Sequence, residues 1–132
     1  MARVWVNGTF DILHRGHIEL LKFASTYGTV RVGIDTDDRV RRLKCESRPI
    51  NSLEDRIMMM SSLKFVHSVV SFDSDLELER EIQYWNPFYM IIGSDYRDKK
   101  IIGSQYVNNI ILFDIIDGYS TTKKINQING IS

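Results

Sequence analysis

Short apolar runs alternate with stretches of helical periodicity along almost the whole chain, and this alternation constrains the fold more than any other feature of the sequence. The runs are Arg3–Asn7, Val30–Asp35, Ser68–Phe72, Tyr89–Ile92 and Ile110–Ile115. Several are apolar at consecutive positions, as in strands buried on both faces of a parallel sheet. Between them, His17–Thr26 places Ile18, Leu20, Leu21, Phe23 and Ala24 at helical spacing. Ser52–Leu63 opens on a serine with Asp55 three residues on, a variant capping box. Leu76–Trp85 stops at Asn86-Pro87, where proline forbids continuation. A last helix is expected from Ser120 or Thr121 to about Gln127. Strand and helix in alternation imply parallel strands joined by right-handed crossovers. The expected fold is therefore α/β: a Rossmann-like, doubly wound, five-stranded parallel sheet with helices on both faces. Such sheets bind ligands at the carboxyl ends of their strands.

Size and charge narrow the function. The chain has 132 residues, enough for one domain over residues 1–132 with its own core. Lysine plus arginine and aspartate plus glutamate number 17 each, which argues against general nucleic-acid binding. No apolar run approaches the roughly 20 residues of a membrane span, and the N-terminus enters a strand pattern with no signal peptide. The single cysteine, Cys45, cannot form an internal disulfide, so a cytoplasmic protein is expected. Neither a histidine partner for Cys45 nor a zinc-ligand spacing is evident.

The candidate chemistry follows the first strand. Asn7-Gly8-Thr9-Phe10-Asp11-Ile12-Leu13-His14-Arg15-Gly16-His17 joins an apolar strand to a helix start through a small-residue loop. That arrangement aims backbone N–H groups and a helix dipole at one spot, an anion site. One histidine there would be read as a cap. Two at this spacing, behind Gly-Thr-Phe-Asp, point to phosphate oxygens, to which imidazoles donate without permanent charge. The three-glycine dinucleotide fingerprint and the Walker lysine-serine are both missing.

Four further clusters follow predicted strands. In Asp37-Asp38-Arg39-Val40-Arg41-Arg42-Leu43-Lys44, the arginines read as the solvated face of an amphipathic turn and Asp37 as a surface acid in preference to a ribose ligand. Lys44 reads as a mobile charge for phosphate. Arg56, early in its helix, could fork to phosphate, and Met58-Met59-Met60 beside it reads as core. In Gly93-Ser94-Asp95-Tyr96, Gly93 allows close approach of a ligand and Asp95 could accept from an amine or hydroxyl; a plain turn fits equally. Ser120, Thr121 and Thr122 offer more hydroxyls than one helix cap requires.

Together these segments resemble the cytidylyltransferase-like nucleotidyltransferase superfamily, with its Gly-Thr-Phe-Asp leading to His-x-Gly-His and its Ser-Thr-Thr at the last helix. Two branches compete. Arg42-Leu43-Lys44, Arg48-Pro49-Ile50-Asn51, Gly93-Ser94-Asp95-Tyr96, Ile102-Gly103-Ser104 and Asp117-Gly118-Tyr119-Ser120-Thr121-Thr122 are similar to segments of the adenylyltransferase domain of ADP-heptose synthases. Glycerol-3-phosphate cytidylyltransferases carry an arginine where Ile115 stands and a second lysine at Glu46. Tyr119 fits neither pattern.

The resemblance implies nucleotidyl transfer from ATP or CTP to a phosphorylated sugar or polyol, with pyrophosphate released. His14, His17 and Lys44 would be catalytic. Gly8, Thr9, Phe10, Gly16, Arg56, Gly93, Asp95, Ser120 and Thr121 would bind the nucleotide, and Asp11 and Lys44 the acceptor. Magnesium would arrive with the triphosphate, without dedicated protein ligands. The heptose branch is often fused to a kinase domain that these 132 residues lack, so a stand-alone form is implied. A homodimer is expected, with Tyr84, Trp85 and Phe88 sealing a sheet edge or a dimer contact. A non-catalytic nucleotide-binding module is the competing reading from another class.

Overall fold

The computed structural model describes residues 1–93 and 100–114. Five strands form one parallel sheet: β1 (Arg3–Gly8), β2 (Thr29–Asp35), β3 (Ser68–Phe72), β4 (Tyr89–Gly93) and β5 (Asn109–Phe113), in the order β3-β2-β1-β4-β5. Each ordered strand begins and ends close to its expected position; residue 115 and the expected last helix lie outside the described residues.

Four helices connect the strands: α1 (Arg15–Ser25), α2 (Asp37–Leu43), α3 (Leu53–Ser61) and α4 (Asp75–Trp85). Leu21 and Ala24 of α1 and Met60 of α3 pack on one face, with Val4, Val6, Val32, Ile34 and Ile91. Leu78, Ile82 and Trp85 of α4 pack on the other, with Trp5, Phe72 and Met90. Successive residues of β1 thus enter opposite layers, as strands covered on both sides must. The Trp5 indole lies over Gly33, where a Cβ would fall 2.5 Å from the ring, so this buried residue of β2 has to be glycine.

Local chemistry sets the helix boundaries. Thr36 caps α2 by accepting from the Arg39 N–H at 3.2 Å. Asp37 and Asp38 fill its first turn and Arg41 and Arg42 its last, a charge order that complements the helix dipole. The expected turn at 37–44 is therefore a helix. Arg39 also departs from a solvated role: its side chain is 11% exposed, bonds Asp35 at 2.7 Å and Asp75 at 2.8 Å, and lies over Phe72. Ser52 accepts from Asp55 N–H and opens α3 as expected. The methionine run splits, with Met60 buried and Met58 and Met59 exposed, because consecutive helical positions point in different directions. Asn86, at φ 55°, ends α4 in the left-handed conformation just before Pro87.

The order of strands reverses at β1: β2 and β3 lie on one side, β4 and β5 on the other. The β1–β2 ladder runs through six registers, whereas the β1–β4 ladder covers only Val4↔Tyr89 and Trp5↔Met90. The two central strands stop pairing well before their carboxyl ends, and the switch-point crevice opens there.

Candidate functional site: paired imidazoles at a helix start

Gly8 ends β1 beside that crevice, and the chain turns through Thr9–Leu13 into α1. Phe10 adopts φ 50°, a left-handed conformation costly for a bulky residue, about 1–3 kcal/mol. Packing holds it there. Its ring covers Gly8, where a Cβ would lie 3.2 Å away, and meets the His17 ring edge-on at 5.1 Å. The small size of Gly8 is thus used to seat Phe10.

His14 is the N-cap of α1. Its Nδ1 accepts from the Gly16 N–H at 3.0 Å, and the His14 N–H donates to His17 Nδ1 at 3.3 Å. The two histidines thereby form a reciprocal cap of the kind Ser and Glu usually make. An Nδ1 that accepts a hydrogen bond carries no proton, so each neutral ring bears its N–H on Nε2. The rings stack at 3.8 Å between centroids with a 22° tilt. Burial, and second the neighbouring His14 imidazole, lower the His17 pKa to about 3. His17 is a neutral donor throughout the physiological range. The capping and phosphate-binding readings of this pair are compatible, because each uses a different ring nitrogen.

Asp11 occupies a different place from the one expected. It is 2% exposed, and its carboxylate accepts from the N–H groups of Ile50 and Asn51, both at 2.8 Å, and from Arg48 Nε at 3.3 Å. Asn51 Nδ2 donates to the Asp11 carbonyl at 2.6 Å. Asp11 therefore fastens the loop between α2 and α3 against the histidine turn instead of facing an acceptor.

Arg56 is likewise corrected. Its guanidinium is 1% exposed and donates to the carbonyls of Asn51 (3.1 Å), Thr9 (3.0 Å) and Asp35 (2.7 Å), and to Asp37 Oδ1 (2.7 Å). Four acceptors from three segments converge on one buried cation, which leaves it no open face for a pyrophosphate. Asp37, read as a surface acid, is its counter-ion. Thr9 Oγ1 donates to Asp35 Oδ2 at 3.2 Å, tying the β1 turn to the end of β2.

Lys44 is exposed at the C-cap of α2, on the same anchored loop. Gly16 lies in the first turn of α1, and Gly93 ends β4 across the crevice from Gly8. Asp95, Ser120 and Thr121 lie outside the described residues. Sequence reasoning missed the roles of Arg48 and Asn51, whose partner Asp11 is about forty residues earlier. A buried-charge pairing at that distance leaves no local pattern. Among the described residues, no group of three or more His, Cys, Asp or Glu side chains could hold a metal ion. No described helix is long and apolar enough to cross a membrane.

A parallel sheet with two imidazoles capping the first helix start, on its switch-point edge, defines a doubly wound α/β domain. The cytidylyltransferase-like family model matches residues 5–128, and the chain belongs to this family of nucleotidyltransferases. It is 44% identical over 128 residues to Bifunctional protein HldE of Campylobacter fetus, covering 96% of this chain and 28% of that protein. To Bifunctional protein HldE of Sulfurimonas denitrificans it is 42% identical, covering 96% of this chain and 27% of that protein. The chain thus spans little more than a quarter of these relatives. Among solved structures, the lipopolysaccharide core biosynthesis protein of Thermoplasma volcanium is similar, with a TM-score of 0.70 at 25% identity, covering 91% of this chain and 99% of that one.

Proposed function

We propose that the chain joins the nucleoside monophosphate of ATP or CTP to a phosphorylated sugar or polyol and releases pyrophosphate, as a heptose-1-phosphate adenylyltransferase. The observation that carries this reading is the reciprocal His14–His17 cap, which fixes two stacked imidazoles by their Nδ1 atoms at a helix N-terminus on the switch-point edge. In the reaction, an acceptor phosphate oxygen attacks the α-phosphorus. A new P–O bond forms, and the bond to the oxygen bridging the α- and β-phosphates breaks. Negative charge moves to pyrophosphate, so placement and charge stabilisation supply most of the catalysis.

His14 and His17 donate to the α- and β-phosphate oxygens as that charge develops. The backbone of Thr9 and Phe10 cradles the α-phosphate, while Lys44 holds oxygens of the acceptor or leaving group. Magnesium would be held by the triphosphate and would neutralise its charge; Asp11, the carboxylate of the histidine turn, is already engaged by three donors. The heptose assignment is supported by the segments around Lys44, Arg48 and Asn51 and by the two HldE relatives. ATP as donor, a cytoplasmic setting and a homodimer are part of the same proposal; light scattering tests the last.

Pyrophosphate release measured for ATP and CTP against heptose 1-phosphate and glycerol 3-phosphate tests the function. ATP with heptose 1-phosphate is expected to turn over fastest. Faster release with CTP and glycerol 3-phosphate moves the assignment to the other branch. Nucleotide binding without release for any pair reduces the chain to a binding module and overturns the proposal.

A further inference from the structure

The opposite end of the sheet carries a second cationic site. A cavity of about 610 Å³ opens at the amino ends of β1 and β2, and its lining includes Arg3, Thr29, Arg31, His67, Tyr84 and Trp85. The guanidinium carbons of Arg3 and Arg31 lie 5.8 and 5.0 Å from the centroid of the same Trp85 ring. Arg3 Nη1 donates to the Trp85 carbonyl at 2.8 Å, and Arg31 Nε to Ser68 Oγ at 2.9 Å. These bonds fix the two side chains without neutralising them. Among the described residues, neither arginine has an ion pair with a carboxylate, and no acidic residue lines the cavity.

Two guanidinium groups beside one indole gather positive charge at this edge, which an anion bound there would offset. The guanidinium fork suits an oxyanion, and His67 and Thr29 add a ring N–H and a hydroxyl. The cavity is far larger than one phosphate, and the exposed Tyr84 ring offers an organic group a surface.

We propose that this amino-edge cavity binds the phosphate group of a small organic phosphate, at a site separate from the histidine edge. Trp85 lines the cavity whereas Trp5 is fully buried in the core, so tryptophan fluorescence reports on occupancy. The full chain is titrated with sodium phosphate and, at matched ionic strength, with sodium chloride. A saturable fluorescence change with phosphate alone is expected, and Arg31→Gln and Arg3→Gln should each weaken it at least tenfold. His67→Gln, at an exposed position, should weaken it less and serves if an arginine variant fails to fold. His17→Ala should leave the titration unchanged, which separates this site from the catalytic one. A response equal to that with chloride overturns the proposal. So does unchanged affinity in the folded arginine variants, or loss of the response in His17→Ala.

Discussion

The two ends of the sheet carry different kinds of hydrogen-bond donor. At the carboxyl edge the histidine turn offers imidazoles, with His17 held neutral, and the buried arginines bonded to that turn are compensated, Arg56 by Asp37 and three carbonyls and Arg48 by Asp11. At the amino edge Arg3 and Arg31 keep their full charges beside Trp85. The difference follows from what each end has to do. A permanent cation attracts a triphosphate, the transition state and departing pyrophosphate alike, so much of its attraction is uniform binding that does not accelerate the step. A neutral donor fixed in place strengthens its hydrogen bond as charge arrives. Permanent charge suits an edge that only holds an anion.

The contrast breaks most visibly at Arg56. If that cation is structural, Arg56→Leu strands Asp37 and three carbonyls, and stability should fall by about 3–5 kcal/mol, measured by denaturant unfolding. A stable variant with weakened nucleotide binding would instead put a ligand-facing cation at the carboxyl edge. The next largest effect is at His17. His17→Ala should lower kcat about a hundredfold, the scale for removing one transition-state donor. Parental turnover in this variant would sink the neutral-donor mechanism. Lys44 sharpens the contrast, as the one exposed cation assigned to the reaction. Lys44→Ala should lower kcat/KM about tenfold, the worth of one hydrogen bond from a charged group. Arg41→Ala, whose partner is Asp38 on its own helix, should leave kcat/KM unchanged. Equal losses in the two variants would mean that the loop contributes only diffuse charge.

The strands and both halves of the helix layering were legible because they rest on local pattern. Val4-Trp5-Val6 is apolar at every position, and such a run has few places in a domain other than a central strand. The histidine turn was legible as the joint between the first strand and a helix start for the same reason, being contiguous. What the sequence concealed depends on partners far along the chain. Asp11 meets Ile50 and Asn51 across separations of 39 and 40 residues, and Arg56 meets Thr9 across 47. Nothing local distinguishes a buried, compensated arginine from one aimed at phosphate. Helix α2 escaped for a different reason. Val40 is its one buried residue, so it has no apolar stripe, and its order comes from the Thr36 cap and its end charges.

The smallest effect tests the neutrality of His17 directly, through its linkage to folding. In the unfolded chain this imidazole titrates near 6.5; in the folded protein burial holds it at about 3. Between those values the unfolded state binds the extra proton, so stability rises with pH across that window and is lost as pH falls below 6.5. From pH 6.5 to 5.5 the loss assignable to His17 should be about 1 kcal/mol. Asparagine in its place keeps an acceptor for the His14 N–H and has no proton to gain. The difference in unfolding free energy between the parent and His17→Asn should therefore shrink by about that amount over the same interval, with titrating groups remote from the pair cancelling in the comparison. A difference that stays constant with pH would mean that His17 accepts a proton as readily folded as unfolded. The carboxyl edge would then carry a permanent charge in mild acid, and the distinction between the two ends of the sheet would fail.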